Sequence, residues 1–175
     1  VRERHIAERE LVSDIAQNAC ERLFSECPST REKIDFLILC TQSPDFLLPS
    51  TSCILQEKLG LQQSVGATDI TLGCSSFVYG LALAKGLLLS GSSKNILLVV
   101  ADTITKHINA KDKSTRTLFG DGAAATLIHD DPSAAFGIGE FVFGTDGSGA
   151  RNLIIPAGGM ALPRSFKTAT ETVDE

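Results

Sequence analysis

One cysteine stands where its chemistry could be used. Residues 69–81 read DITLGCSSFVYGL, and Cys74 falls between Gly73 and the pair Ser75 and Ser76. The stretch before it has the look of a strand and the stretch after it that of a helix. A thiol at a helix mouth feels unpaired backbone N–H groups and the positive end of the helix dipole. Both favour the thiolate, the form that attacks carbonyl carbon. A strand-to-helix turn also lifts its side chain toward the crevice at the carboxyl edge of an α/β sheet, where ligands bind. Gly73 permits the tight backbone, and serines suit a helix start better than its interior. The other reading is a small packing residue, and position alone leaves both open.

No other residue set makes as clear a case. Cys20, Cys27, Cys40 and Cys53 are scattered singly in or beside predicted helices and a buried strand, and are read as packing residues. The five cysteines form no C-x-x-C pair, so neither zinc nor a redox dithiol is indicated. His5, His107 and His129 are isolated and read as surface or cap residues. Asp121, Asp130, Asp131 and Asp146 fall in predicted turns, where Asp is common for backbone reasons. GSSK at 91–94 lacks the spacing of a phosphate loop, and LFGDGAAATLI runs from its glycines into a strand rather than a helix.

The elements that must position Cys74 follow from the pattern of apolar residues. Leu11, Ile15, Ala19, Leu23 and Phe24 recur at helical spacing over 11–24. IDFLILCT at 34–41 is a continuous apolar run of strand length, the mark of a strand buried on both faces. Ser50 or Thr51 can cap a helix over 52–60, which Gly60 would end. A strand at 66–73, a long helix at 75–91 and a third strand at 94–103 come next. Two further strands, predicted as antiparallel neighbours, are read in 122–131 and 136–147. This order predicts an α/β domain with a mixed, mostly parallel sheet flanked by helices. The helix after Cys74 is apolar nearly all round, which predicts that it packs against more protein than its own sheet. Gly80 and Gly86 within it are read as points of close backbone approach.

Composition narrows the function classes. The chain has 175 residues, 43% hydrophobic and 21% charged, as in a globular domain with a sizeable core. A net charge of −5 with no basic stripe argues against nucleic acid as a partner. The most apolar stretch, FVYGLALAKGLLL, is shorter than the roughly 20 residues a membrane helix needs and contains Lys85. The opening VRERHIAERE lacks the order of a secretory signal, and single cysteines fit a reducing cytoplasm, so a cytoplasmic protein is expected.

Several blocks together carry more than any one of them. VRERHIA, LLPST, GCSSFVYGLALAKGLLLSG, ILLVVADT, RTLFGDGAAATLI and GTDGSG occur in this order. In that order and at these spacings the chain resembles 3-oxoacyl-[acyl-carrier-protein] synthase III, the initiating condensing enzyme of bacterial type II fatty acid synthesis. The resemblance implies one half of a thiolase-like fold. Residues 1–175 would form an N-terminal half-domain that lacks the family's first strand and its C-terminal half.

The same resemblance makes Cys74 the acyl-accepting nucleophile, with its backbone N–H as one oxyanion donor. Acyl-CoA would be the donor substrate, malonyl-acyl carrier protein the extender and partner, and no cofactor would be permanently bound. Phe119 matches a position lining the acyl pocket. Leu48 matches one that reaches across a homodimer to close the partner's pocket, and Lys113 aligns with a basic residue contacting CoA in some relatives. No His or Asn of this chain stands in the family's decarboxylation motifs, so the chain alone is expected to be inactive. Hydroxymethylglutaryl-CoA synthase and polyketide starter synthases share a cysteine at this elbow. A reading of a different class is a non-catalytic half-domain that folds through dimerisation.

Overall fold

In the computed structural model of the chain, residues 4–134, 137–165 and 168 are described. Four strands, β1 (Phe36–Cys40), β2 (Gly66–Ile70), β3 (Asn95–Asp102) and β4 (Gly122–His129), form one sheet in the order β2-β1-β3-β4. The pairs β1–β2 and β1–β3 are parallel, and β3–β4 is antiparallel. Helices α1 (Val12–Glu26), α2 (Thr51–Lys58) and α3 (Ser76–Leu89) cover its two faces. The mixed, mostly parallel sheet flanked by helices is as the sequence predicts.

The continuous apolar strands divide their side chains between two cores. Leu37, Leu39, Leu97, Val99 and Ala101 point to one face, where Val12, Ala16, Cys20 and Phe24 of α1 and Leu55 of α2 join them. Ile38, Cys40, Ile96, Leu98 and Ile128 point to the other, against Ala84 and the half-buried Leu81 and Leu87 of α3. Alternation along a pleated strand sends neighbours to opposite faces, so a central strand covered on both sides has no polar phase. Each fully buried Leu or Ile contributes about 1.5–3 kcal/mol relative to exposure. β1 and β3 therefore anchor the unit.

Helix bounds differ from the sequence reading in ways local chemistry explains. α1 starts at Val12, so Leu11 is the N-cap and lies exposed outside the apolar face. Asp14 accepts a hydrogen bond from the Leu11 N–H at 2.8 Å, which secures the first turn. Ser50 is the N-cap of α2, but its side chain caps nothing. The Asp69 carboxylate on β2 does so instead, accepting from the N–H groups of Thr51 and Ser52 at 2.8 Å each. Thr51 turns its hydroxyl oxygen to the Asp45 N–H at 3.1 Å. Gly60 follows α2 with a φ of 61°, as its predicted end requires.

Gly80 brings α3 down onto the sheet. A Cβ there would lie 2.6 Å from a Leu98 methyl carbon and 3.3 Å from the Cys40 sulfur. The close approach is thus to strand side chains rather than to another backbone, and at Gly86 nothing lies within 4 Å. Beyond β4, residues 137–146 form no strand, contrary to the expected fifth one. Phe141 and Phe143 do stack with ring centroids 5.7 Å apart, the i, i+2 relation of extended chain. Extended backbone becomes a strand only within a ladder, and the described sheet ends at β4. Phe136, at the start of that expected strand, lies outside the described residues, as does most of the polar ending after Ser165.

The described residues divide into two compact units, one up to Glu140 and one from Phe141 onward. The first holds the sheet with α1, α2 and α3. In the second, Asp146 caps a short 3₁₀ turn (Gly147–Gly149) by accepting from the Ser148 N–H at 2.9 Å. Its Val142, Leu153, Ile154 and Met160 side chains are exposed.

Candidate active site

Strand direction decides which loops meet. β1, β2 and β3 run parallel, so the segments that follow Cys40, Ile70 and Asp102 all leave the same edge of the sheet. β4 is antiparallel and starts at this edge, with Gly122 opposite Asp102. Cys74 lies in the segment after β2, and Leu48 in the loop from β1 to α2. Lys113 and Phe119 lie in the connection from β3 to β4. All four sequence-predicted residues therefore sit on connections at the carboxyl edge, where open α/β sheets bind ligands.

Cys74 precedes the N-cap, Ser75, and its side chain is exposed. The turn that carries it is closed by the Ser76 N–H donating to the Gly73 carbonyl at 2.8 Å. α3 itself starts at Ser76, so the thiol stands just outside the first turn that the sequence predicts for it. The other cysteines divide. Cys20 and Cys40 are buried, and burial pushes their thiols up to about 12 and about 11, respectively. Cys40 also donates to the Ser76 carbonyl at 3.5 Å, directly beneath the start of α3. Cys27 and Cys53 are exposed and do not serve as packing residues within this chain.

The remaining predicted residues have distinct surroundings. Leu48 is 86% exposed and Leu47 81%, and with Phe46 they form an apolar tip on the loop between β1 and α2. Phe119 is half-buried just before β4, and its carbonyl accepts from Arg4 at 3.4 Å. Lys113 is exposed in a loop organised by Asp112, which accepts from the N–H groups of Ser114 and Thr115. Hydrogen bonds from the Thr115 side chain and backbone, with those from Ser114, hold the Asp112 carboxyl down at about 2. A cleft of about 530 Å³ opens between α1 and β4, lined by residues such as His5, Arg22 and Gly122, and none of the four predicted residues lines it.

Sequence reasoning missed the carboxylates that hold this edge together. Asp102 Oδ1, at the end of β3, accepts from the Gln42 N–H at 2.7 Å and the Ser43 hydroxyl at 2.9 Å. It also takes the Ser43 N–H and the Thr41 hydroxyl at 3.1 Å each. Asp121 reaches from the start of β4 to the Ala7 N–H at 2.8 Å and the Thr105 N–H at 3.0 Å. The turn role read for Asp131 and Asp146 holds, since each accepts from the serine two residues on. The His5 ring lies 3.9 Å from the Glu10 carboxylate, and no cluster able to hold a metal occurs among the described residues.

Residues 68–147 match the family model of 3-oxoacyl-[acyl-carrier-protein (ACP)] synthase III. The matched span runs from within β2 through the Cys74 turn, α3 and β4, and includes Lys113 and Phe119 but not Leu48. Beta-ketoacyl-[acyl-carrier-protein] synthase III of Caldanaerobacter subterraneus subsp. tengcongensis is 39% identical over 174 residues. That alignment takes in 99% of this chain and 52% of the relative. A crystal structure of a 3-oxoacyl-(acyl-carrier-protein) synthase III superposes on 99% of the chain and 52% of its own, with a TM-score of 0.93 and 48% identity. Over 99% of its length the chain is similar in sequence and fold to 3-oxoacyl-[acyl-carrier-protein] synthases III. The Thermus thermophilus synthase III structure agrees, with a TM-score of 0.81 and 36% identity over 86% of this chain and 46% of its own. The chain spans about half the length of the curated synthases III it matches. No helix among the described residues is long and apolar enough to cross a membrane.

Proposed function

We propose that this chain is the N-terminal, acyl-accepting half of a condensing enzyme of type II fatty acid synthesis. Residues 1–175 form a thiolase-like half-domain whose first strand and C-terminal half lie in the parent protein. The observation that carries the reading is the exposed Cys74 at the strand-to-helix turn of the sheet's carboxyl edge, within the span that matches the family.

In this reading the Cys74 thiolate attacks the thioester carbonyl of an acyl-CoA. The new C–S bond forms as CoA leaves as its thiolate, giving an acyl-enzyme. The Cys74 backbone N–H donates to the oxyanion of the tetrahedral intermediate. Decarboxylation of malonyl-acyl carrier protein then supplies a carbanion that attacks the acyl carbonyl, releases the Cys74 sulfur and forms the new C–C bond. Polar groups that manage the decarboxylation come from outside this chain, so the chain contributes the acyl-accepting thiol and is inactive alone.

Phe119 lines the acyl pocket, Lys113 contacts the CoA, and Leu48 closes the pocket of a second copy in a homodimer. The exposure of Leu48 at an apolar tip supports the last assignment. This chemistry needs no resident cofactor and places the enzyme in the cytoplasm with its carrier protein. Incubating the parent protein with acetyl-CoA tests the reading: an acyl group is expected on Cys74, and none in the Cys74→Ala variant.

A further inference from the structure

The turn that carries Cys74 is braced from the neighbouring strand. Beyond the last β1–β3 ladder pair, Cys40 with Val100, the two chains stay joined through side chains. Asp102 gathers Thr41, Gln42 and Ser43 on one carboxylate oxygen, and the Ser43 hydroxyl in turn accepts from the Thr103 N–H at 2.7 Å. The Thr41 N–H donates to the Ile70 carbonyl at 3.0 Å, which ties the same residues to the end of β2. Gln42 is thereby fixed at its backbone while its side chain is exposed at the edge. Its carboxamide lies over Gly73. A Cβ on Gly73 would sit 2.3 Å from the Gln42 Oε1 and 2.9 Å from its Cδ. Gly73 has no positive φ, so its lack of a side chain here serves space rather than backbone conformation.

Building on the proposed role of Cys74, we infer that Asp102 and Gln42 are positioning residues for the nucleophile. Asp102 holds the Gln42 backbone, the Gln42 carboxamide packs on Gly73, and Gly73 sets the turn from which Cys74 projects. Neither residue touches the reacting atoms. The arrangement needs an acceptor at 102, a carboxamide at 42 and no Cβ at 73. Small displacements of a nucleophile from its line of attack lower rates steeply, which is why a contact one residue away matters.

A double-substitution cycle in the full-length parent protein tests this, with single-turnover acylation of Cys74 by acetyl-CoA as the readout. Gln42→Ala and Gly73→Ala are each expected to slow acylation about ten- to a hundredfold, since one removes the carboxamide and the other displaces it. Gly73→Ala added to Gln42→Ala should then slow it little further, because the three atoms nearest the new methyl, all of the Gln42 carboxamide, are gone. Asp102→Asn, which keeps an acceptor oxygen, should retain most of the rate that Asp102→Ala loses. Alkylation of Cys74 by iodoacetamide, which requires only an accessible thiolate, should be unchanged by Gln42→Ala. Independent, multiplying effects of the two substitutions overturn the inference, and so does a wild-type acylation rate in Gln42→Ala. Absence of acylation in the wild-type protein overturns instead the assignment of Cys74 on which the inference stands.

Discussion

Five thiols share this chain, and their surroundings sort them by reactivity. Cys20 and Cys40 lie in the two cores, where desolvation penalises the thiolate and holds them protonated well above neutral pH. Cys74 stands exposed at the mouth of α3. Iodoacetamide at pH 8 is therefore expected to label Cys74 in the native protein and to reach Cys20 and Cys40 only after denaturation. Peptide mapping before and after unfolding checks this, and equal native labelling of Cys20 would contradict the burial argument. The sequence made Cys74 stand out because Gly-Cys-Ser-Ser joins a strand pattern to a helix pattern. It could not separate Cys27 and Cys53 from the buried pair, since exposure at a helix border depends on what packs there.

Among the elements, α2 depends on a group that is remote in sequence. Eight residues make a short helix, and short helices hold through packing and caps rather than propensity. Its cap is the Asp69 carboxylate, which takes the first two N–H groups from across the β2 crossover. Asp69→Ala leaves both donors without their acceptor and is expected to lower stability by about 2 kcal/mol, with Asp69→Asn losing less. Denaturant unfolding of the parent protein measures this, and an unchanged midpoint would show that α2 needs no such cap. Most elements were legible because their apolar periods are local: 36–40 and 95–102 as two-sided strands, 76–89 as a helix. Asp69 and Asp102 were not legible, because their partners lie on neighbouring strands and only the order β2-β1-β3 brings them together. Residues 137–146 misled for the converse reason, having a strand's composition but no ladder among the described residues.

For the molecule as a whole, the open question is what covers its exposed apolar groups. α3 buries Ser76, Gly80 and Ala84 against the sheet, while Phe77, Val78, Leu83 and Leu89 remain exposed. The apolar tip at Phe46, Leu47 and Leu48 adds to this surface. Exposed apolar side chains in this number are expected to be covered by an interface. Sedimentation of the full-length protein at micromolar concentration is expected to give a homodimer, and a monomer would remove the role proposed for Leu48. Acyl transfer to one thiol underlies every role proposed for these residues. Brief incubation of the full-length protein with acetyl-CoA, followed by peptide mass mapping of all five cysteines, tests it most directly. One acetyl group is expected, on Cys74 alone; an unmodified Cys74, or an acetyl group on another cysteine instead, would contradict the role of Cys74 as nucleophile.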